Sequence, residues 1–164
     1  MSISTDAYIN FSNVKGESED HEYKEWTAVR TFAFALSNTL CYDTSTPGLG
    51  AGTVSVGDLQ VELVFDKACI TLRQYLVQGT HIDSTKLKVR RQGGTQVPWY
   101  SLEMDNAVIS ESKISYGDGY FFALVFIKFK AYKEAYIPQD NKGAKGAEIQ
   151  YKWIPAKTQT APAA

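Results

Sequence analysis

Histidine and cysteine, the side chains on which most metal sites and nucleophilic centres are built, are scarce here: the 164 residues hold two of each. Neither His21 nor His81 has a Cys or His at zinc-ligand spacing, and no CxxC occurs. His21 stands among Glu17, Glu19, Asp20 and Glu22, a run that reads as a solvated acidic loop before it reads as a loose cation site. No G-x-S-x-G elbow is present, which leaves a hydrolase using His21 or His81 as an alternative that only folding can assemble. Cys69 reads as a buried thiol on a helix, with a Cys41–Cys69 disulfide as the other pairing state. No catalytic residue, metal or cofactor is expected.

Net charge is equally thin, at −1, so no global field draws in nucleic acid or an anionic membrane. Lys86, Lys88, Arg90 and Arg91 beside Trp99 and Tyr100 are the one stretch suited to a nucleic-acid face, and their alternation reads instead as a solvated strand face. The longest apolar run, 120–127, falls far short of the roughly 20 residues a spanning helix needs, so membrane insertion is not expected. Residues 1–10 lack the cationic start and apolar stretch of a secretory signal. Gly48-Leu49-Gly50-Ala51-Gly52 is not followed by a helix pattern, as a dinucleotide loop would require.

What is abundant is aromatic: ten Tyr and eight Phe favour strands. Alternation marks strands at 7–12, 26–36, 59–65, 86–90, 97–105, 107–112, 120–132 and 148–154. In 26–36 the face carrying Phe32 and Phe34 is the expected core face, while Thr27, Val29, Thr31, Ala33 and Ala35 line a small-residue face bordering something else. At Asp66 the period changes. Asp66 suits an N-cap; Ala68, Cys69, Leu72, Tyr75 and Leu76 share one helical arc, and Gly79 supplies the stop. Ile70 and Val77 lie nearly opposite that arc, so the helix has a second apolar spot and points to a partner surface. Ser37–Val56 shows no period and exceeds the usual loop length, a mark of a functional segment or a mobile lid. Gln92-Gly93-Gly94-Thr95 and Tyr116-Gly117-Asp118-Gly119 are expected turns. The expected fold is mainly β, an antiparallel barrel or two-sheet sandwich with one flanking helix, occupying 1–155 as a single domain before a disordered tail, 156–164.

The ordered set of motifs resembles the haemolysin-coregulated protein (Hcp) family, the tube subunit of bacterial type VI secretion systems. Val14-Lys15-Gly16-Glu17-Ser18-Glu19-Asp20 is similar to the family's opening segment. Phe65-Asp66-Lys67-Ala68 leading to Gly79-Thr80-His81 is similar to its strand–helix core. Asn106-Ala107-Val108-Ile109-Ser110 and Tyr136-Ile137-Pro138-Gln139 with Trp153 complete the series. Ala68, Cys69 and Ile70 replace the Ser or Thr and Pro common there, and Phe32 and Phe34 stand where Trp is common.

The resemblance implies a two-sheet β-barrel with one helix that assembles as a homohexameric ring. Rings would stack into a hollow tube that carries effector cargo and is ejected with the spike, sheath and baseplate of the apparatus. The protein would lie in the bacterial cytoplasm before firing and leave it without a signal peptide. On that reading Thr31, Ala33 and Ala35 border the lumen. Leu40, Tyr42, Leu49, Gly50 and Gly52 belong to the loop that reaches the neighbouring ring, and Ile70 and Val77 face the neighbouring subunit. The alternative is a monomeric β-barrel binding a small ligand through Trp99, Tyr100 or Tyr116.

Overall fold

The structure, a computed structural model, describes residues 5–39, 41–42, 49–50, 52–91, 97–140, 142–155 and 159–161. The elements run β1 (Thr5–Phe11), β2 (Thr27–Ala33), β3 (Leu36–Asn38), β4 (Cys41–Tyr42), β5 (Leu49–Gly50), β6 (Val54–Val56), β7 (Leu59–Val64) and α1 (Lys67–Gln78). After the helix come β8 (Ile82–Arg91), β9 (Pro98–Gly117), β10 (Tyr120–Tyr136), β11 (Ile149–Ile154) and β12 (Gln159–Ala161). The turn expected at 92–95 lies outside the described residues.

Antiparallel pairing runs β10-β7-β2-β1-β8-β9, and β9 then pairs with β10, closing a six-stranded barrel. The ladder is continuous, so of the barrel and the sandwich expected from the pattern it is the barrel that forms, closed as one ring. β10 is long enough to pair with β7 through 122–127 and with β11 through 132–136. β12 pairs with β11, so 159–161 carry a short strand where a disordered tail was expected. Inside the ring, Ile9, Leu59, Val61, Leu63, Leu87, Leu102, Val125 and Ile127 are fully buried. Each aliphatic side chain so buried contributes about 1.5–3 kcal/mol.

Local irregularities decide which face each residue takes. A bulge between Val29 and Thr31 exchanges the faces of β2. Thr27 and Val29, expected on the small-residue face, are therefore buried, while Arg30 and Thr31 are exposed and Phe32 and Phe34 turn inward. In β9 the expected break at Asp105-Asn106 is present: Asn106 has φ 52°, and the buried positions shift from Leu102 and Met104 to Ala107 and Ile109. The β9–β10 turn places Asp118 and Gly119 at φ 51° and 79°, the left-handed pair that a two-residue hairpin loop needs.

The period change at Asp66 is a cap. Its carboxylate accepts from the Ala68 N–H at 2.9 Å and from the Glu17 N–H at 3.2 Å, tying the first loop to α1. Gly79 at φ 67° ends the helix. Ala68, Cys69 and Leu72 are fully buried beneath it, with Tyr75 and Leu76 half-buried. Cys69 is a free thiol whose pKa burial pushes up to about 11.

The acidic stretch 16–25 is not the solvated run its composition suggests. Arg90, expected on an open strand face, is 3% exposed beneath it. Its guanidinium donates to both carboxylate oxygens of Asp20, lies 3.5 Å from Asp6, and sits over the rings of Tyr8 and Tyr23. Tyr23 in turn stacks on Tyr8 at 5.0 Å. Gly16 lets the loop start this close: a Cβ there would meet the Trp26 carbonyl oxygen at 2.4 Å. Elsewhere on β8, Lys88 pairs across the strands with Glu103 at 3.0 Å.

The Arg90 bond holds the Asp20 carboxyl down at about 2. A lowered folded-state pKa contributes stability that is complete above the unfolded carboxylate value near 4 and is lost as pH falls toward about 2. Arg90→Met should cost about 3 kcal/mol at neutral pH, the usual scale for leaving one partner of a buried pair alone. It should also flatten that acid transition, as followed by denaturant unfolding across pH 5 to 2 in about half-unit steps.

Candidate assembly surfaces

On α1 the side opposite the core is apolar and basic. Ile70 is 55% and Val77 79% exposed, so the second apolar spot on the helix is uncovered within one subunit. The helix, KACITLRQYLVQ, has no acidic residue. Arg73 reaches back to donate to the Ser112 carbonyl at 2.9 Å, and Lys67 stays exposed.

The three residues expected along a bore, Thr31, Ala33 and Ala35, are all exposed and lie on the outer face of the barrel wall. Across the ladder Thr31 faces Glu62 and Ala33 faces Gln60. The next strand continues the face with the half-buried Leu124 and Phe126. Thr31 Oγ1 donates to Glu62 at 3.1 Å, and Arg30 pairs with the same carboxylate at 3.0 Å. The wall is therefore less bare of charge than the small residues alone suggest.

Ser37–Val56 holds the largest difference from the sequence pattern. Its described residues form a β-ribbon, not an irregular loop. The β2–β7 ladder runs on through Gly57 N–H to Ala35 carbonyl (2.9 Å), then β3 with β6, then Thr39 N–H to Thr53 carbonyl (3.1 Å), then β4 with β5. Strands of two or three residues such as these are too short for periodicity to reveal the pair. Side chains at 35–39 and 53–55 are exposed, including Leu36 at 46% and Val54 at 37%. Of the loop residues singled out earlier, Gly52 is half-buried. Tyr42, Leu49 and Gly50 belong to β4 and β5, and Leu40 lies outside the described residues.

The ribbon leaves the barrel where β7 begins. At the other end, where β7 finishes, a cluster appears that periodicity did not single out. Val64, Tyr116, Tyr120 and Phe121 are 44–76% exposed around the β9–β10 turn, with Phe65 stacked on Phe121 at 3.8 Å. Its only sequence signal was the density of aromatics flanking Asp118-Gly119. Beside it a depression of about 420 Å³ is lined by Glu17, Glu19, Asp20, Val64 and Asp66, among others. The ribbon end is instead basic, with His81, Lys128 and Lys130 around Phe129.

The residues proposed for a small-ligand mouth do not converge. Trp99 is covered by the Arg91 guanidinium at 4.3 Å. Tyr100 stacks on Phe32 and donates to Glu134 at 2.6 Å; burial, reinforced by that bond, pushes its hydroxyl well above the usual phenol range. Tyr116 pairs with Phe121 at the far end of the same strand. Ile149 and Tyr151 on β11 are 67% and 37% exposed, and Tyr151 also donates to Glu134 at 2.8 Å. His81 bonds Asn106 at 2.8 Å, and His21 is exposed in the loop that Arg90 holds. Among the described residues no group of His, Cys, Asp and Glu is placed to hold a metal.

Comparison with known proteins agrees along nearly the whole chain. Residues 8–137 match the family model described as "Type VI secretion system effector, Hcp". Protein hcp1 of Pseudomonas aeruginosa is 29% identical over 155 residues, 92% of this chain and 95% of that protein. A solved structure described as a type six secretion system protein superposes with a TM-score of 0.90 at 25% identity, covering 96% of this chain and all of the other. Hcp1 from Salmonella typhimurium, 18% identical, shares the fold with a TM-score of 0.77 over 97% of this chain and all of its own. The family model spans most of the chain, from β1 to the end of β10, and the chain belongs to the Hcp family of type VI secretion system proteins.

Proposed function

We propose that this chain is the repeating structural subunit of a secretion tube and not an enzyme. Copies close head-to-tail into a hexameric ring, rings stack through the ribbon, and small effectors travel in the bore. The ribbon carries the proposal. A lone two-stranded hairpin is marginal in water, and this one has exposed side chains along both described arms. A partner outside the subunit supplies what the subunit does not. A closing ring joins two different patches of each copy, and Ile70 with Val77 forms one of them. Thr31, Ala33 and Ala35 border the bore, where small side chains leave room for cargo and the Arg30–Glu62 pair offers polar contacts. The subunit waits in the cytoplasm, engages the spike, sheath and baseplate, and is expelled with its cargo.

Native mass spectrometry of the purified protein should give a hexamer; a monomer at high concentration would overturn the reading. Ile70→Asp with Val77→Asp should shift the hexamer to monomers while circular dichroism stays that of the folded barrel. Deleting 48–52 should leave rings of unchanged mass and abolish ring stacks in negative-stain images. Ala33→Arg should keep both fold and ring, since the position is exposed, and should lower recovery of co-purified or exported cargo severalfold.

A further inference from the structure

Three tyrosines and one glutamate gather where β9, β10 and β11 run side by side. In the register, Tyr136 of β10 lies between Tyr100 of β9 and Ile149 of β11, and Glu134 lies between Leu102 and Tyr151. Residues two apart on a strand share a face, so Glu134 and the three rings belong to one face of this sheet. Together with Ala135 and Ile149 they line an open depression of about 330 Å³. Ligand sites span roughly 300–1,000 Å³, so this one suits a small head group. Tyr136 is 40%, Tyr151 37% and Ile149 67% exposed, which leaves the rings within reach of solvent. Of the rings expected from the sequence to meet a ligand, Tyr100 alone lines it.

The carboxylate is held in place without a cation. Tyr100 donates to one Glu134 oxygen at 2.6 Å and Tyr151 to the other at 2.8 Å. Phe32 stacks on Tyr100, and Tyr132 meets Tyr151 edge-on at 5.8 Å, so neighbouring rings brace both phenols. Glu134 enters no ion pair among the described residues. Nor does any guanidinium or ammonium among them lie over the three rings. Lys133 and Lys152 belong to the opposite face of the same strands, where Lys152 pairs with Asp105 at 3.1 Å. Arg91 lies over Trp99 and donates to Gln139.

We infer that this depression is a binding site for a quaternary ammonium group, the trimethylammonium of choline or of a choline headgroup. Aromatic faces attract such a cation through their quadrupole, and its methyl shell is weakly hydrated. Tyr100, Tyr136 and Tyr151 supply the faces, Glu134 supplies the opposing charge, and Ile149 meets the methyl groups. A bare metal ion fits poorly, because phenols already engage both carboxylate oxygens and the described residues hold no metal-binding group. The inference goes beyond the tube reading and does not rest on it.

Calorimetric titration of the purified protein with choline chloride, and separately with tetramethylammonium chloride, tests it. Both salts should bind saturably with a dissociation constant on the order of 1 mM. Ammonium chloride, which lacks the methyl shell, should bind about tenfold more weakly. Tyr136→Leu keeps apolar bulk but removes a face, and should weaken choline binding about fivefold, the scale of one exposed cation–π contact. Glu134→Gln should weaken it to a similar degree, whereas Tyr136→Phe should bind like the parent. Circular dichroism checks the fold of each variant. Flotation with phosphatidylcholine against phosphatidylglycerol vesicles separates the two sources. Phosphatidylcholine-selective flotation that Tyr136→Leu abolishes assigns a lipid headgroup, and choline binding without flotation assigns a free solute. No saturable binding of either salt, ammonium binding as tightly as choline, or Tyr136→Leu binding like the parent would each overturn the inference.

Discussion

Pairing of β9 with β10 along almost their whole length removes the edges that a six-stranded sheet would otherwise expose. Everything else hangs on that closure. With no free edge in the ring, backbone donors and acceptors of the wall are used internally, and one interior is left for the aliphatic side chains to fill. Because β10 outruns its pairing with β7, the strand also carries β11 beyond the ring. Because β2 and β7 are neighbours in the ring, their ladder can run past the barrel as a ribbon without disturbing closure.

The elements with a strong period were legible from residues alone. The strand before Asp66, the cap, the buried arc of α1 and the uncovered Ile70 and Val77 all appear where the pattern placed them. What periodicity missed has a different cause in each of three places. At Arg30 an inserted residue exchanges the faces of a strand, so a uniform alternation misassigned Thr27 and Val29. Among the described residues of 37–56 the strands are only two or three residues long, too short for an alternation to stand out. In 16–25 the acidic composition concealed the single guanidinium, far along the chain at Arg90, that organises it. Long-range partners of this kind are invisible until the chain folds. The same holds for the candidate surfaces: Ile70 and Val77 were readable, whereas the aromatic cluster around the β9–β10 turn looked like ordinary strand sequence.

The molecule is consistent with a part made to be joined. The expected ligand-contacting rings are dispersed, and its exposed apolar residues gather on a helix face, a ribbon, a barrel end and the β10–β11 pair. Those locations are not alike in charge, with α1 and the ribbon end basic and acidic groups beside the turn end. Contacts between unlike surfaces generate rings or filaments depending on the rotation between copies, so one subunit with several such surfaces has the means for both.

The Cys69 thiol has a consequence for a protein that changes surroundings. Thiol–disulfide exchange proceeds through the thiolate, and a group with its pKa near 11, fully shielded under a helix, presents almost none at neutral pH. The sulfur therefore behaves as a small core hydrophobe that neither glutathione nor an external oxidant can readily reach. Passage from a reducing to an oxidising medium leaves that part of the core chemically unchanged, and the packing beneath α1 needs no covalent bond to survive the journey.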